Sequence, residues 1–172
     1  MMTLKHAMLA MAVSGLGTAG VQAQSVQAIV QKPGLTAEAA KVIGDTCMAM
    51  AKKNGWHQAI TILNAKGEPI YFFRMDGTTD IGAETSGLKA KTAFYIRRIG
   101  RDLGHLNQGF LTQRGMLASP GGIPIMVGDD LVGAVGVGGG VSINDHSCGM
   151  AGLEAVGLAP KVVPPEALAP HE

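Results

Sequence analysis

The sequence has almost no net charge. Lys and Arg total 14 and Asp and Glu total 13 over the 172 residues, giving a formal charge of +1. Domains that bind nucleic acid usually carry a marked basic excess, so this balance argues against that class of partner. Apolar residues make up 47% of the chain, and with so little net charge this argues against a disordered protein. The composition favours one folded domain.

The chain also lacks the short motifs of hydrolytic and zinc enzymes. Ser119, Ser142 and Ser147 have no G-x-S-x-G setting, and neither H-E-x-x-H nor C-x-x-C occurs. The two cysteines, Cys47 and Cys148, could pair in an oxidising compartment, but their apparently helical positions are equally typical of buried free thiols. Catalytic residues therefore stay unknown, and the sequence does not decide whether the protein is an enzyme.

The N-terminus has the pattern of a secretory signal peptide. A weakly positive start precedes the apolar run AMLAMAV, and Val21-Gln22-Ala23 fits the cleavage rule for small residues. The run is too short to span a bilayer stably, so an uncleaved anchor is the weaker alternative. We predict a mature chain that is periplasmic or secreted, without a membrane span. The predicted segments are a signal peptide (1–23), a leader (24–34), one domain (35–158) and a proline-rich tail (159–172).

Hydrophobic periodicity predicts helices and hairpins in the order helix, hairpin, helix, helix, hairpin, helix. Thr36 is the expected cap of the first helix, and Ser142 or Asn144 the cap of the last. Strands that arrive as adjacent antiparallel pairs predict an α+β fold with helices packed on an antiparallel sheet. The predicted helices are Leu35–Asn54, Ile81–Ile99, Arg101–Phe110 and one ending near Val156, and the predicted strands are His57–Leu63, Ile70–Met75, Ile123–Val127 and Leu131–Gly138.

The glycine-rich stretch GAVGVGGGVSINDH, residues 133–146, does not match a phosphate-binding loop. In a G-x-G-x-x-G pattern that starts at Gly136, the third glycine would fall on Val141, and no Gly-Lys-Ser/Thr follows. In a strand, Ala134, Gly136 and Gly138 would share one nearly bare face. Such a face marks a place of close approach by a helix, a neighbouring subunit or a flat ligand, and a helix is the simplest of the three.

Five motifs occur in an order that resembles the GlcG/HbpS family of haem-binding and haem-degrading proteins, related to the C-terminal domain of PduO-type proteins. The resemblance extends over about residues 35–156 and implies a five-stranded antiparallel sheet flanked by helices, homo-oligomers and haem as the cofactor. Two departures stand out: Gly138-Gly139-Gly140 replaces a cluster that usually contains serine, and Asn144-Asp145-His146 replaces a usual Gln-Asp opening. The motifs are RMDG (74–77), KAKTA (89–93), PGGIPI (120–125), DDLVGAVGVGGG (129–140) and AGLEAV (151–156).

Haem iron takes an axial donor such as His, so the histidines are the candidate ligands. We favour His105 and His146, with His57 third. A charged imidazole is disfavoured at a helix N-terminus, so His146 would be neutral and able to ligate. The alternatives are a surface position for His146, a favourable position near a helix end for His105 and a hairpin edge for His57. No metal other than haem iron is expected.

A second set of residues could bind carboxylates, either haem propionates or a small organic acid. It consists of Arg74, Asp76 and Lys89, together with the backbone N–H groups of Gly121 and Gly122. Turn formation alone explains the Asp76-Gly77 pair equally well.

These observations lead to three functional hypotheses. The first is an exported, homo-oligomeric haem-binding protein for haem capture, storage or slow degradation. The second is an enzyme or accessory protein that binds a small carboxylate or aromatic metabolite of a catabolic pathway. The third is a structural oligomer in which the glycine face is a subunit contact.

Overall fold

The structure is a computed structural model that describes residues 32–104 and 106–160. The predicted signal peptide, its cleavage site, most of the leader and nearly all of the tail lie outside these residues. The described elements are α1 (Ala37–Lys53), β1 (Ala59–Asn64), β2 (Pro69–Arg74), α2 (Asp80–Ile96), a 3₁₀ helix (Gly100–Leu103), α3 (Gln108–Gln113), β3 (Gly122–Val127), β4 (Asp130–Gly138) and α4 (Ser142–Ala155).

The four strands form one antiparallel sheet in the order β2-β1-β4-β3. The α+β class with an antiparallel sheet is therefore confirmed, whereas the five strands implied by the family resemblance are wrong for the described residues. The physical reason is visible in the sequence, since only two hairpins carry strand patterns and each supplies two strands. The edge strands are β2 and β3, one from each hairpin, and the central strands β1 and β4 pair from Ala59↔Gly138 to Asn64↔Gly133.

Helices cover both faces of the sheet, which explains why every residue of β1 but the last is buried. One face packs against α1 and α4 through a continuous aliphatic cluster. The other packs against α2 through smaller side chains, chiefly alanines, with Leu63 and Phe94. Burying both faces provides most of the folding free energy, at about 25 cal/mol for each Å² of apolar surface removed from water. The aliphatic cluster includes Ile43, Ile60, Ile62, Ile123, Ile125, Val135, Val137 and Leu153.

The bare face of β4 lies against α2. A Cβ built on Gly136 would lie 2.0 Å from the carbonyl oxygen of Ser86, and one on Gly138 would lie 2.4 Å from that of Gly82. Real Cβ atoms are never found so close to backbone, so glycine allows the helix to seat directly on the strand. The helix thus occupies the close-approach surface predicted at Gly136 and Gly138.

Several predicted helix ends differ from the structure. Thr36 caps α1 as predicted, because its Oγ1 accepts a hydrogen bond from the Ala39 N–H. Helix α2 ends at Ile96, three residues early, because Arg97 adopts a left-handed conformation with φ of 58°. The predicted helix Arg101–Phe110 is wrong.

A short 3₁₀ helix and a separate α3 replace the single helix predicted for Arg101–Phe110. Asn107 starts α3, since its Oδ1 accepts from the Phe110 N–H and caps a new helix. Helix α4 begins after Val141, where no side chain forms a capping bond, so the predicted caps Ser142 and Asn144 are wrong.

A disulfide joins Cys47 of α1 to Cys148 of α4 across 101 positions of sequence. Both half-cystines are fully buried in the aliphatic cluster. The bond ties together the two helices that cover one face of the sheet. Within the described part of the chain, no helix has the length and apolarity needed to cross a membrane.

Candidate functional site

A buried ion pair stands at the centre of the candidate site. The Lys89 Nζ donates to Asp145 Oδ2 at 2.7 Å, and the two side chains are 4% and 1% exposed. The other oxygen, Oδ1, accepts from the Gln58 Nε2 at 3.0 Å and from the Gly140 N–H at 3.1 Å. Both carboxylate oxygens of Asp145 therefore have hydrogen-bond partners. An ammonium group has three protons, and within the described ranges Lys89 has one recorded acceptor.

Three parts of the chain meet at this pair. Lys89 lies in the middle of α2, Gln58 precedes β1, and Asp145 lies in the first turn of α4. The negative carboxylate is favourable there because the helix N-terminus is the positive end of the dipole. Gly121, with φ of +105°, leaves room for the pair, since a Cβ there would lie 2.9 Å from that of Asp145.

A cleft of about 260 Å³ opens beside the ion pair. We call it the lysine cleft. Its polar lining includes the hydroxyls of Ser119 and Ser142, which lie 3.3 Å apart and share a hydrogen bond. The start of α4 also borders it, without a side-chain cap. Lysine, hydroxyl and helix-terminal N–H groups are all donors, so the cleft has the chemistry to bind a small oxygen-rich ligand.

The predicted carboxylate-binding set is only partly assembled in this cleft. Lys89 lines it, and Gly121 and Gly122 pack against Lys89. The Gly122 N–H points to the Ser119 carbonyl oxygen, 3.5 Å away, so it serves the turn. Arg74 is absent from the lining and binds the Thr78 carbonyl oxygen at 2.6 Å and Asp80 at 2.8 Å. Asp76 is exposed, and its carbonyl oxygen accepts from the Nδ1 of His57 at 2.9 Å.

The three predicted haem ligands have different surroundings. His57 is exposed at the start of the first hairpin, and its bond to Asp76 places the ring proton on Nδ1. His105 lies outside the described residues. His146 is 7% exposed, so the alternative of a surface position is wrong for it.

The surroundings of His146 favour the neutral form of its imidazole. Burial lowers its pKa, and the nearby Arg101 charge lowers it further, while Asp102 acts weakly in the opposite direction. Its Nδ1 is buried and has no hydrogen-bond partner among the described residues. An unpartnered, neutral imidazole nitrogen is chemically suited to bind a metal or a proton donor.

A second cleft, of about 480 Å³, lies between α2 and the segment that begins with α3. We call it the aromatic cleft. Its lining consists of Lys91, Tyr95, Phe110, Arg114 and Met116. Over residues 32–104 and 106–160, no group of three or more His, Cys, Asp or Glu side chains is arranged to hold a metal ion.

Sequence reasoning missed the central contact and both clefts. Lys89 and Asp145 are separated by 56 positions, and nothing in a single sequence pairs them. A charged residue on the apolar face of α2 was the available signal, because such a residue needs a partner when buried. For the aromatic cleft the signal was two i,i+4 pairs, Lys91 with Tyr95 and Phe110 with Arg114.

Comparison with known sequences finds one matching family model and a curated relative. A family model described as haem-degrading protein HbpS-like matches residues 35–154. Protein GlcG of Escherichia coli K12 is 34% identical over 91 residues, which cover 51% of this chain and 68% of GlcG.

Two solved structures show the same fold. The Klebsiella pneumoniae protein ORFY superposes with a TM-score of 0.72 at 20% identity, covering 78% of this chain and 98% of ORFY. The PduOC protein, solved as a complex with heme, superposes with a TM-score of 0.67 at 18% identity, covering 71% of this chain and 94% of PduOC.

Proposed function

Since the chain belongs to the HbpS-like family of haem-degrading proteins, we propose that it binds haem and serves in haem capture or storage outside the cytoplasm. The observation that carries this proposal is the family match over nearly the whole described domain. The solved complex of a protein of the same fold with heme supports it. Export rests on the signal-like N-terminus, and a homo-oligomeric state on the family resemblance.

The described side chains fit the chemistry of haem. When bound, haem supplies an iron that takes a nitrogen, sulfur or oxygen donor from the protein. His146 offers a neutral imidazole whose Nδ1 has no partner among the described residues. His146 is buried, so ligation there requires its surroundings to open, whereas His57 is exposed and keeps its Nε2 for a ligand because its Nδ1 donates to the Asp76 carbonyl oxygen.

Titration of the purified chain with hemin, followed by the Soret absorbance band, tests the proposal. We expect a saturable shift at micromolar protein. Single His57→Ala, His105→Ala and His146→Ala variants then identify the ligand, because loss of an axial donor changes the position of the band. Absence of any saturable shift in the wild type would refute haem binding, and unchanged spectra in all three variants would eliminate the predicted histidine ligands.

A second candidate function is the binding of a small carboxylate at the lysine cleft. The observation that favours it is the convergence of Lys89, which has protons to spare, with two hydroxyls and the uncapped start of α4. Asp145 already neutralises the lysine, so a carboxylate would depend mainly on hydroxyl and N–H donors. This site would suit an accessory protein or enzyme of a catabolic pathway.

Thermal denaturation with and without millimolar succinate or benzoate tests this candidate. Binding to the folded state raises the melting temperature by mass action. Ser119→Ala and Ser142→Ala should reduce the stabilisation, while Ser147→Ala should leave it unchanged, because Ser147 bonds to the Ile143 carbonyl oxygen and does not line the cleft. If neither acid shifts the wild-type melting temperature, or if all three variants respond alike, the candidate is eliminated.

A further inference from the structure

We propose that the aromatic cleft is where this chain holds haem, with Tyr95 and Phe110 as its apolar walls and Lys91 and Arg114 as the partners of the two propionates. This placement rests on the haem-binding function proposed above and adds a site. Neither His57 nor His146, nor any member of the predicted anion-binding set, lines this cleft, and its own candidate donors to haem iron are the Tyr95 hydroxyl and the Met116 thioether.

The walls come from two residue pairs at i,i+4 spacing, one pair on α2 and the other on α3 and the residue after it. Lys91 and Tyr95 are four residues apart on α2 and therefore share a face, and so do Phe110 and Arg114 at the end of α3. Tyr95 is 63% exposed and Phe110 is 53% exposed, although aromatic side chains usually bury most of their surface. Two exposed rings at one cleft offer a flat ligand a stacking surface.

The charge of the cleft fits a dianion. Lys91 and Arg114 both line it, and among the described residues no acidic side chain pairs with either. The Lys91 Nζ donates to the Arg114 carbonyl oxygen at 2.9 Å and keeps further protons for a ligand. The Arg114 guanidinium lies 5.5 Å from the centroid of the Phe110 ring. Arg pairs with carboxylates through two parallel hydrogen bonds, which suits a propionate.

The cleft is held in place by contacts that do not depend on a ligand. The Leu117 N–H donates to Thr92 Oγ1 at 2.7 Å, which ties the segment after α3 to α2. The bond from Lys91 to the Arg114 carbonyl makes a second tie. Met116 is 9% exposed and closes the floor with a polarisable thioether. A site with preformed walls loses little freedom when its ligand binds.

Equilibrium binding of hemin, protoporphyrin IX and protoporphyrin IX dimethyl ester to the full chain tests the placement. The charge variant is Lys91→Gln/Arg114→Gln, and its matched control is Lys66→Gln/Arg98→Gln, which removes two exposed cations outside the cleft lining. The aromatic variant is Tyr95→Leu/Phe110→Leu. Its control is Phe72→Leu/Phe73→Leu, on the edge strand β2, where the rings are 56% and 46% exposed.

We expect the dissociation constant of hemin to rise at least tenfold in both cleft variants and less than twofold in both controls. The charge variant should bind the dimethyl ester, which has no carboxylates, as well as the wild type does. Circular dichroism of each variant establishes that it is folded.

Three outcomes would overturn the placement. If the wild type binds hemin and the cleft variants bind it equally well, the placement is wrong while haem binding stands. If controls and cleft variants weaken together, the effect is one of general charge or hydrophobicity and the placement is again wrong. If the wild type does not bind hemin saturably, the proposed function fails and takes the placement with it.

Discussion

Replacing Lys89 by Met should destabilise the fold strongly. The substitution keeps the length and apolar stem of the side chain, so it removes the ammonium group without opening a large cavity. Asp145 then remains 1% exposed with no charged partner, although Gln58 and Gly140 still donate to its Oδ1. Removing one partner of a buried ion pair lowers the free energy of unfolding by about 3–5 kcal/mol. Against a typical total stability of about 5–15 kcal/mol, this is a large fraction.

Urea denaturation followed by circular dichroism measures the effect in a double-mutant cycle with Asp145→Asn. The amide keeps an oxygen for the donors from Gln58 and Gly140 and carries no charge. The double variant should therefore recover part of the lost stability, with a coupling energy of about 2–3 kcal/mol. Lys41→Met is the matched control, because Lys41 pairs with Asp45 on the exposed surface of α1 and its loss should leave the denaturation midpoint unchanged.

The reasoning would be refuted if Lys89→Met and Lys41→Met had similar midpoints. It would also be refuted if the effects of Lys89→Met and Asp145→Asn were simply additive, because additivity would mean that the two groups do not interact in the folded state.

Three further predictions concern other parts of the fold. Replacing both Cys47 and Cys148 by Ala should lower the free energy of unfolding by about 4–5 kcal/mol on the chain-entropy model for a loop of this length, measured by urea denaturation; an unchanged midpoint would mean that the bond does not form. Gly136→Ala should be strongly destabilising by thermal denaturation, because its Cβ would meet the Ser86 carbonyl oxygen at 2.0 Å, whereas Gly87→Ala, which meets nothing within 4 Å, should stabilise α2 by up to about 1 kcal/mol; equal effects would contradict the packing of α2 on β4. Because burial lowers the pKa of His146, the unfolded state binds its proton first, so its contribution to stability is complete above about pH 6.5 and is lost as the pH falls below it; His146→Gln should flatten this part of the stability-against-pH curve, and an unchanged slope would show that another group is responsible.

Local patterns were sufficient for most of the fold. The apolar runs of β1 and β4, the hairpin turns and the Thr36 cap are set by neighbours in sequence, and these features were predicted correctly. The bare face of β4 was also visible, because strand periodicity alone places Gly136 and Gly138 together. The error at Arg101–Phe110 arose because Asn107 restarts the helix, a local cap that the periodicity concealed.

The sites were much less predictable because they depend on distant contacts. Arg74 was grouped with Lys89 by chemistry, yet it is engaged by Thr78 and Asp80 at the end of its own hairpin. Asp145 was noticed only as the neighbour of His146, and its pairing with Lys89 joins the start of α4 to α2, two helices that lie on opposite faces of the sheet. The burial of His146 likewise follows from tertiary packing, which a helical pattern does not reveal.

Simultaneous measurement of the Soret band and of fluorescence from Trp56, the single tryptophan of the chain, during titration with hemin tests the central claim most directly. We predict that both signals saturate together at a fixed ratio of hemin to protein, with the fluorescence quenched as the haem band shifts. A Soret band that stays that of hemin in buffer, with fluorescence falling linearly and without saturation, would contradict haem binding.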